Sequence, residues 1–149
     1  MDDKQRVIDI FQSFREVNQA FFQVMMKAAQ HHRITPIQFM VLRVLSDNPE
    51  IGLTALAEKI LLGNSTTSGI IDRMVKADLV TRERSDEDRR SVTLKLTAKG
   101  EQIWKDTDGT RMRLLHPLLE ISEEDQRNLH RIHEQVAQIL HRVREEDER

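Results

Sequence analysis

A run of short polar side chains, Asn64-Ser65-Thr66-Thr67-Ser68, is the first group of residues whose types and spacing suggest a chemistry. These residues are poor helix formers, yet apolar residues at helical spacing follow them directly. Hydroxyl groups at the N-terminus of a helix can reach phosphates and the edges of bases in the major groove of DNA. The alternative is that Asn64 or Ser65 only caps the helix and the other side chains are incidentally polar.

Four arginines lie close together a little further along the chain, at Arg82, Arg84, Arg89 and Arg90. The formal net charge of −2 by itself argues against binding to nucleic acid. A local cluster of cations can nevertheless contact phosphates when the whole chain is acidic. The alternative is a charged, solvated hairpin without a nucleic-acid partner.

The elements that must position these residues are two short helices and a hairpin. Leu53 to Leu61 is predicted as a short helix capped by Thr54, and a turn at Gly63-Asn64-Ser65 leads into the second helix. Alternating residues over Val80–Ser85 and Ser91–Leu96 then predict two strands, with a charged tip between them. This order of elements is a helix-turn-helix followed by a wing.

The helix before this motif has the strongest start signal in the chain, Thr35-Pro36-Ile37-Gln38. Thr35 can cap the helix, Pro36 suits its first position, and Gln38 completes a capping box. Asp47-Asn48-Pro49 is predicted to end it. After the hairpin the chain returns to helix from Thr97, and Gly109 weakens the middle of that helix.

The two terminal helices carry apolar residues at alternating steps of three and four. In the first, predicted from about Gln5 to His31, these are Val7, Ile10, Phe14, Val17, Phe21, Val24 and Ala28. In the last, capped by Ser122, they are Leu129, Ile132, Val136, Ile139 and Val143. A small winged lobe has no room to cover both stripes. A second copy of the chain can cover them, so the pattern predicts a symmetric homodimer.

Several short motifs, in this order and spacing, resemble those of one known family. Asp88-Arg89-Arg90-Ser91, followed by Leu96-Thr97-Ala98-Lys99-Gly100, resembles the wing signature of the MarR (multiple-antibiotic-resistance regulator) family. Leu79-Val80 before the first wing strand and Asp72-Arg73-Met74 late in the second short helix also fit that family. With Thr35-Pro36-x-Gln-Phe, the resemblance covers about residues 5–145.

The resemblance implies a mainly α fold with a small β-hairpin wing (α+β). Residues 1–149 would form a single MarR-like domain, with a winged helix-turn-helix lobe at 33–100 and a helical dimerisation region at 1–32 and 101–149. The implied function is that of a bacterial, cytoplasmic, sequence-specific DNA-binding transcriptional regulator. It would be a repressor that binds a pseudo-palindromic operator as a homodimer and is released by a small aromatic or amphipathic effector. The alternative is a winged-helix protein-interaction module that does not bind DNA.

The resemblance also assigns roles to individual residues. The residues expected to face the major groove are Ser65, Thr66, Thr67 and Ser68. Arg73 would lie near the DNA backbone, and Arg82 and Arg84 would contact phosphates at the base of the wing. Asp88 would hold the wing tip and Arg90 would enter the minor groove, with Arg89 beside it in the basic cluster. Gly69 departs from a typical recognition helix, because glycine lowers helix stability.

The resemblance also implies a small-molecule effector pocket where the winged lobe meets the dimerisation helices. Its candidate lining residues are Met25, Arg43, Trp104 and Arg111. Other chemistries find little support. The chain has no cysteine, glycine-rich phosphate loop or serine nucleophile elbow, so neither an enzyme nor a bound cofactor is expected. His130 and His133 share a helix face, but that helix is highly charged and solvated histidines are ordinary there, so no metal site is expected.

Overall fold

A computed structural model describes residues 2–84 and 91–148. The part before the hairpin holds four helices: α1 (Asp3–His31), α2 (Pro36–Asp47), α3 (Leu53–Ile60) and α4 (Asn64–Lys76). The hairpin strands are β1 (Val80–Arg84) and β2 (Val92–Leu96). They are followed by α5 (Ala98–Leu115), a 3-10 helix (His116–Glu120) and α6 (Glu123–Asp147). The mainly α fold with one small hairpin is therefore confirmed.

The N-terminal boundary of α2 is set by hydrogen bonds between residues that are close in sequence. Thr35 Oγ1 accepts a hydrogen bond from the backbone N–H of Gln38 at 3.2 Å, and Gln38 Oε1 accepts one from the backbone N–H of Thr35 at 3.0 Å. Pro36 occupies the first turn, where its missing N–H has no helical partner to lose. The predicted capping box is confirmed, and so is the cap of α6, where Ser122 Oγ accepts from Asp125 N at 3.1 Å.

The cap predicted for α3 is wrong, and the alternative that Asn64 or Ser65 caps α4 does not hold. Gly52, not Thr54, is the N-cap of α3, and Thr54 Oγ1 instead accepts a hydrogen bond from Asn64 Nδ2 at 3.3 Å. Gly63 is the N-cap of α4, so neither Asn64 nor Ser65 caps that helix. The helix α3 begins two residues earlier than a Thr54 cap would place it, and α4 begins one residue earlier than an Asn64 cap would. The polar run is therefore not explained by capping.

The core lies between α2, α3, α4 and the hairpin. Its largest fully buried side chains are Phe39, Leu42, Leu56, Ile71, Met74 and Leu94. Leu94 also ties the hairpin to the α2–α3 connection, because its backbone N–H donates to the carbonyl of Ile51 at 2.8 Å. Truncating one of these side chains to alanine typically costs about 2–5 kcal/mol. This packing fixes α4 and the hairpin to one another.

The segment from the hairpin into α5 is held by Thr97 and Gly100. Thr97 Oγ1 donates to the carbonyl of Asp78 at 2.6 Å and accepts from Gly100 N at 2.9 Å. Thr97 N also donates to the carbonyl of Leu79 at 3.1 Å. A Cβ on Gly100 would lie 2.1 Å from that same Leu79 oxygen. The Leu-Thr-x-x-Gly motif therefore joins the start of α5 to the turn that precedes β1.

The helix α1 leaves most of its apolar stripe exposed. Phe11 is 61% exposed, Phe14 60% and Phe21 46%, whereas Ala28 and Ala29 near its end are buried. Residues 115–149 form a second compact unit, which contains α6. In α6 the apolar residues Leu129, Ile132, Ile139 and Val143 are exposed. Within residues 2–84 and 91–148, no helix is long and apolar enough to cross a membrane.

Candidate nucleic-acid interface

The helix α4 has two distinct sides. Its buried side consists of Thr67, Ile70, Ile71 and Met74. Since each residue of an α-helix advances by about 100°, Ser65 and Arg73 project away from these residues, and both are exposed. Thr66 is exposed and Ser68 is half-buried at the edges of this outer side. Ser65, Thr66 and Arg73 are therefore available to an external partner.

Thr67 is a correction to the predicted site. Its side chain is 0% exposed, and its Oγ1 donates to the carbonyl of Gly63 at 2.8 Å. Thr67 lies one helical turn before Ile71 and two before Met74, so it belongs to the core side of α4. A threonine can be buried there because its hydroxyl bonds to the carbonyl four residues earlier. The spacing to Ile71 and Met74 is a sequence signal that identifies this position.

The hairpin places its arginines on one face. Arg82 pairs with Leu94 and Arg84 with Val92 across the strands, and directly opposed residues share a face of a sheet. Both arginines are exposed, and Arg82 Nη2 forms an ion pair with Asp72 Oδ1 of α4. The cations of β1 therefore lie on the side of the hairpin that meets the recognition-helix candidate.

The opposite face of the hairpin carries the acidic groups. Lys95 Nζ lies 3.1 Å from Glu50 Oε1 and 3.3 Å from Glu83 Oε2. The pKa of Lys95 is raised above its ordinary value. The largest cause is the hydrogen bond to Glu50, and the next largest is the hydrogen bond to Glu83. Lys95 thus remains cationic and offsets part of the negative charge on that face. The two described strands therefore place Arg82 and Arg84 on the face opposite to Glu83.

Asp72 is a residue of the candidate interface whose ion pair could not be predicted from the sequence. It counted only as part of a family motif, whereas the structure pairs it with Arg82, ten residues away on a different element. No local pattern predicts a contact between a helix and a strand. The predicted wing-tip residues Asp88, Arg89 and Arg90 lie outside the described residues.

Two of the four predicted effector residues, Trp104 and Arg111, lie against one aromatic side chain, that of Phe39. The rings of Phe39 and Trp104 have centroids 5.2 Å apart, and the Arg111 guanidinium carbon lies 5.6 Å from the Phe39 ring centre. Phe39, Trp104 and Arg111 are called the Phe39 cluster below. Met25 is half-buried against the core. Arg43 is exposed on α2, one turn after Phe39.

Four polar residues near the Phe39 cluster were not assigned to the site from the sequence. His32 Nε2 and Thr110 Oγ1 are 2.7 Å apart, which links the end of α1 to α5. Arg111 also donates from Nη2 to Asp108 Oδ1 at 2.6 Å. Thr107 Oγ1 is buried and hydrogen-bonds to no group within residues 2–84 and 91–148. The sequence does not indicate that the Thr107 hydroxyl is buried, because Thr107 lies among charged residues in its helix.

Comparison with known proteins supports this fold. The MarR family matches residues 34–92. The HTH-type transcriptional regulator YsmB of Bacillus subtilis is 33% identical over 116 residues, which is 78% of this chain and 80% of YsmB. A MarR family protein from Bacillus stearothermophilus superimposes with a TM-score of 0.80 at 26% identity, covering 94% of this chain and 99% of that one. NadR, solved in complex with 4-hydroxyphenylacetate, has a TM-score of 0.72 at 25% identity, covering 87% of this chain and 93% of NadR. The chain belongs to the MarR family of DNA-binding transcriptional regulators.

Proposed function

We propose that this chain is a repressor that binds a pseudo-palindromic operator as a homodimer and is released by a small aromatic or amphipathic effector. The observation that carries the proposal is the outer side of α4, whose exposed polar residues adjoin the arginine face of the hairpin. Hydroxyls and arginines are the groups that read base edges and bind phosphates. As a regulator of chromosomal genes it would act in the cytoplasm.

In this proposal the winged lobe is residues 33–100. Ser65, Thr66 and Ser68 would approach the major groove, and Arg73, Arg82 and Arg84 would contact the DNA backbone. For the wing tip we retain the proposed roles of Asp88, Arg89 and Arg90. Each of the last three is proposed from the sequence alone.

The homodimer is supported by the exposed apolar residues of the terminal helices. Phenylalanines spaced along α1 remain largely exposed in one chain, as do the isoleucines of α6. Apolar patches of this extent on a soluble chain mark interaction surfaces. Because two-fold dimers bury the same surface on both subunits, a second copy can cover both helices. Residues 1–32 and 101–149 would then form the dimerisation region.

The effector is supported by the chemistry of the Phe39 cluster. The half-buried Trp104 ring and Arg111 guanidinium, which both lie against the buried Phe39 ring, are suited to an aromatic compound that carries a negative charge. The buried Thr107 hydroxyl adds a hydrogen-bonding group on α5. NadR, which is similar in structure, was solved with the aromatic acid 4-hydroxyphenylacetate. Met25, Arg43, Trp104 and Arg111 remain the proposed lining residues.

Selection of bound sequences from random duplex DNA tests the proposed function. We expect a palindromic site whose half-sites are about one helical turn, or roughly 10 base pairs, apart, because the dimer two-fold imposes its symmetry on the site. Sedimentation should show two chains on each site. Failure to enrich any sequence, together with no salt-sensitive binding to any duplex, would indicate a protein-interaction module instead.

The Asp72–Arg82 pair gives a test of the interface. Arg82→Ala should weaken operator binding up to about tenfold more than Arg84→Ala, because it also leaves the Asp72 carboxylate uncovered beside the phosphates. The matched control is the double variant Asp72→Ala/Arg82→Ala, which should bind more tightly than Arg82→Ala alone. The measurement is fluorescence anisotropy on one operator at one salt concentration. Equal losses for Arg82→Ala and the double variant would contradict this role for Asp72.

A further inference from the structure

Gly69 lies in the interior of α4, where glycine is unfavourable. It costs roughly 0.5–1 kcal/mol relative to alanine in such a position. Its φ is not positive, so the backbone conformation does not require glycine. A Cβ added to Gly69 meets no atom within 4 Å among the described residues, apart from its chain neighbours Ser68 and Ile70 and the nearby backbone of α4. Neither turn geometry nor packing of the described residues explains the missing side chain.

Gly69 lies on the outer side of α4. Ser65 precedes it by one turn and Arg73 follows it by one turn, and both are exposed. The core residues Ile70 and Ile71 lie on the other side of the helix. The missing side chain therefore leaves a gap in the middle of the surface proposed to enter the major groove. The gap has a polar hydroxyl at one end and a guanidinium at the other.

The gap has space for a small group but provides no hydrogen-bonding partner for it. The N–H and C=O of a residue inside an α-helix are bonded to residues four positions away, and Gly69 has no side chain. Within the major groove the C5 methyl of thymine is the apolar group that projects from a base edge. A gap without hydrogen-bonding capacity suits a methyl group better than the amino or carbonyl groups of the other bases.

We propose that Gly69 is a specificity-determining residue that receives the C5 methyl of one thymine in each operator half-site. The inference rests on the proposed role of α4 as the reading helix. Ser65 would contact a base edge beside that thymine, and Arg73 would contact the DNA backbone next to it. Any side chain at position 69 would fill the gap and displace the helix from the base pair.

The test compares Gly69→Ala with Gly109→Ala. Gly109 is also a helical glycine at which an added Cβ meets no described atom within 4 Å beyond its own helix backbone, and it lies in α5, away from the proposed interface. Both variants should unfold at the same temperature as the original protein or slightly above it, because alanine is the better helix former. Gly109→Ala should bind the selected operator unchanged, and Gly69→Ala should bind it about tenfold or more weakly, in line with the 1–3 kcal/mol typical of a base contact.

Operators in which one thymine per half-site is replaced by deoxyuracil identify the contacted group. At one position the original protein should lose about tenfold in affinity, the order expected for two buried methyl groups per dimer. Gly69→Ala should not distinguish thymine from deoxyuracil at that position. These affinities are measured by anisotropy at fixed salt.

The proposal is overturned if Gly69→Ala binds the operator as tightly as the original protein. It is also overturned if no thymine position responds to deoxyuracil while Gly69→Ala weakens all duplexes alike, a result that indicates close approach to the DNA backbone. In both cases the original protein still selects an operator, so the proposed function stands. An original protein that selects no sequence overturns the proposed function and this inference together.

Discussion

Raising the salt concentration from about 50 to 200 mM should weaken operator binding about 10³–10⁵-fold, if roughly 6–10 phosphates are neutralised per dimer. The cations available for these contacts include Arg73, Arg82 and Arg84, which are exposed on α4 and β1. Each bound cation releases condensed counterions, so affinity falls linearly with salt on a double-logarithmic plot. The measurement is an anisotropy titration at five or more salt concentrations.

Arg84→Ala serves as the internal check on this slope. A homodimer loses two phosphate contacts with this substitution, so the slope should fall by about 2. The affinity loss should be similar for all sequences, because a phosphate contact carries no base information. A slope near zero for the original protein would reject phosphate binding by this surface. An unchanged slope for Arg84→Ala would remove that residue alone from the interface.

Gly100→Ala should destabilise the fold by about 3 kcal/mol or more, at the upper end of the usual range for overpacking. The added Cβ would lie 2.1 Å from the carbonyl oxygen of Leu79. That oxygen belongs to the backbone and also accepts the hydrogen bond of Thr97 N, so it cannot move without loss of the bond. Thermal unfolding at fixed protein concentration should show a decrease of roughly 6–12 °C.

Gly109→Ala is the matched control in the same helix. Its added Cβ meets no described atom within 4 Å outside the backbone of α5, so it should raise stability by roughly 0.5–1 kcal/mol. The opposite signs expected for two Gly→Ala changes in α5 separate steric overlap from helix propensity. If Gly100→Ala unfolds at the temperature of the original protein, the close approach to Leu79 does not hold in solution.

Local signals predicted the elements well. The capping box at Thr35 and the cap at Ser122 act within three residues, so the sequence contains all the groups involved. The hairpin and the two short helices follow from a change in apolar spacing, which is also a local property. Their boundaries agree with the structure to within about two residues, the usual uncertainty of helix ends.

The errors occurred where the orientation or the partner of a side chain decided its role. Thr67 was grouped with its polar neighbours by type, although its spacing to Ile71 and Met74 places it in the core. Thr54 was given a capping role that Gly52 fulfils through its backbone conformation alone. The Asp72–Arg82 ion pair joins two elements. Only the packing of α4 against the hairpin brings those two side chains together.

The separation of charge on the hairpin bears on how the protein first meets DNA. Arg82 and Arg84 lie on one face of the ribbon, while Glu50 and Glu83 surround Lys95 on the other. The two described strands therefore carry opposite charges on their two faces, even though the chain as a whole has a net charge of −2. In the electric field of a polyanion, a dipole experiences a torque that turns its cationic face toward the polyanion. We expect strands with this charge separation to orient the protein before contact, so that more of its collisions with the duplex lead to binding.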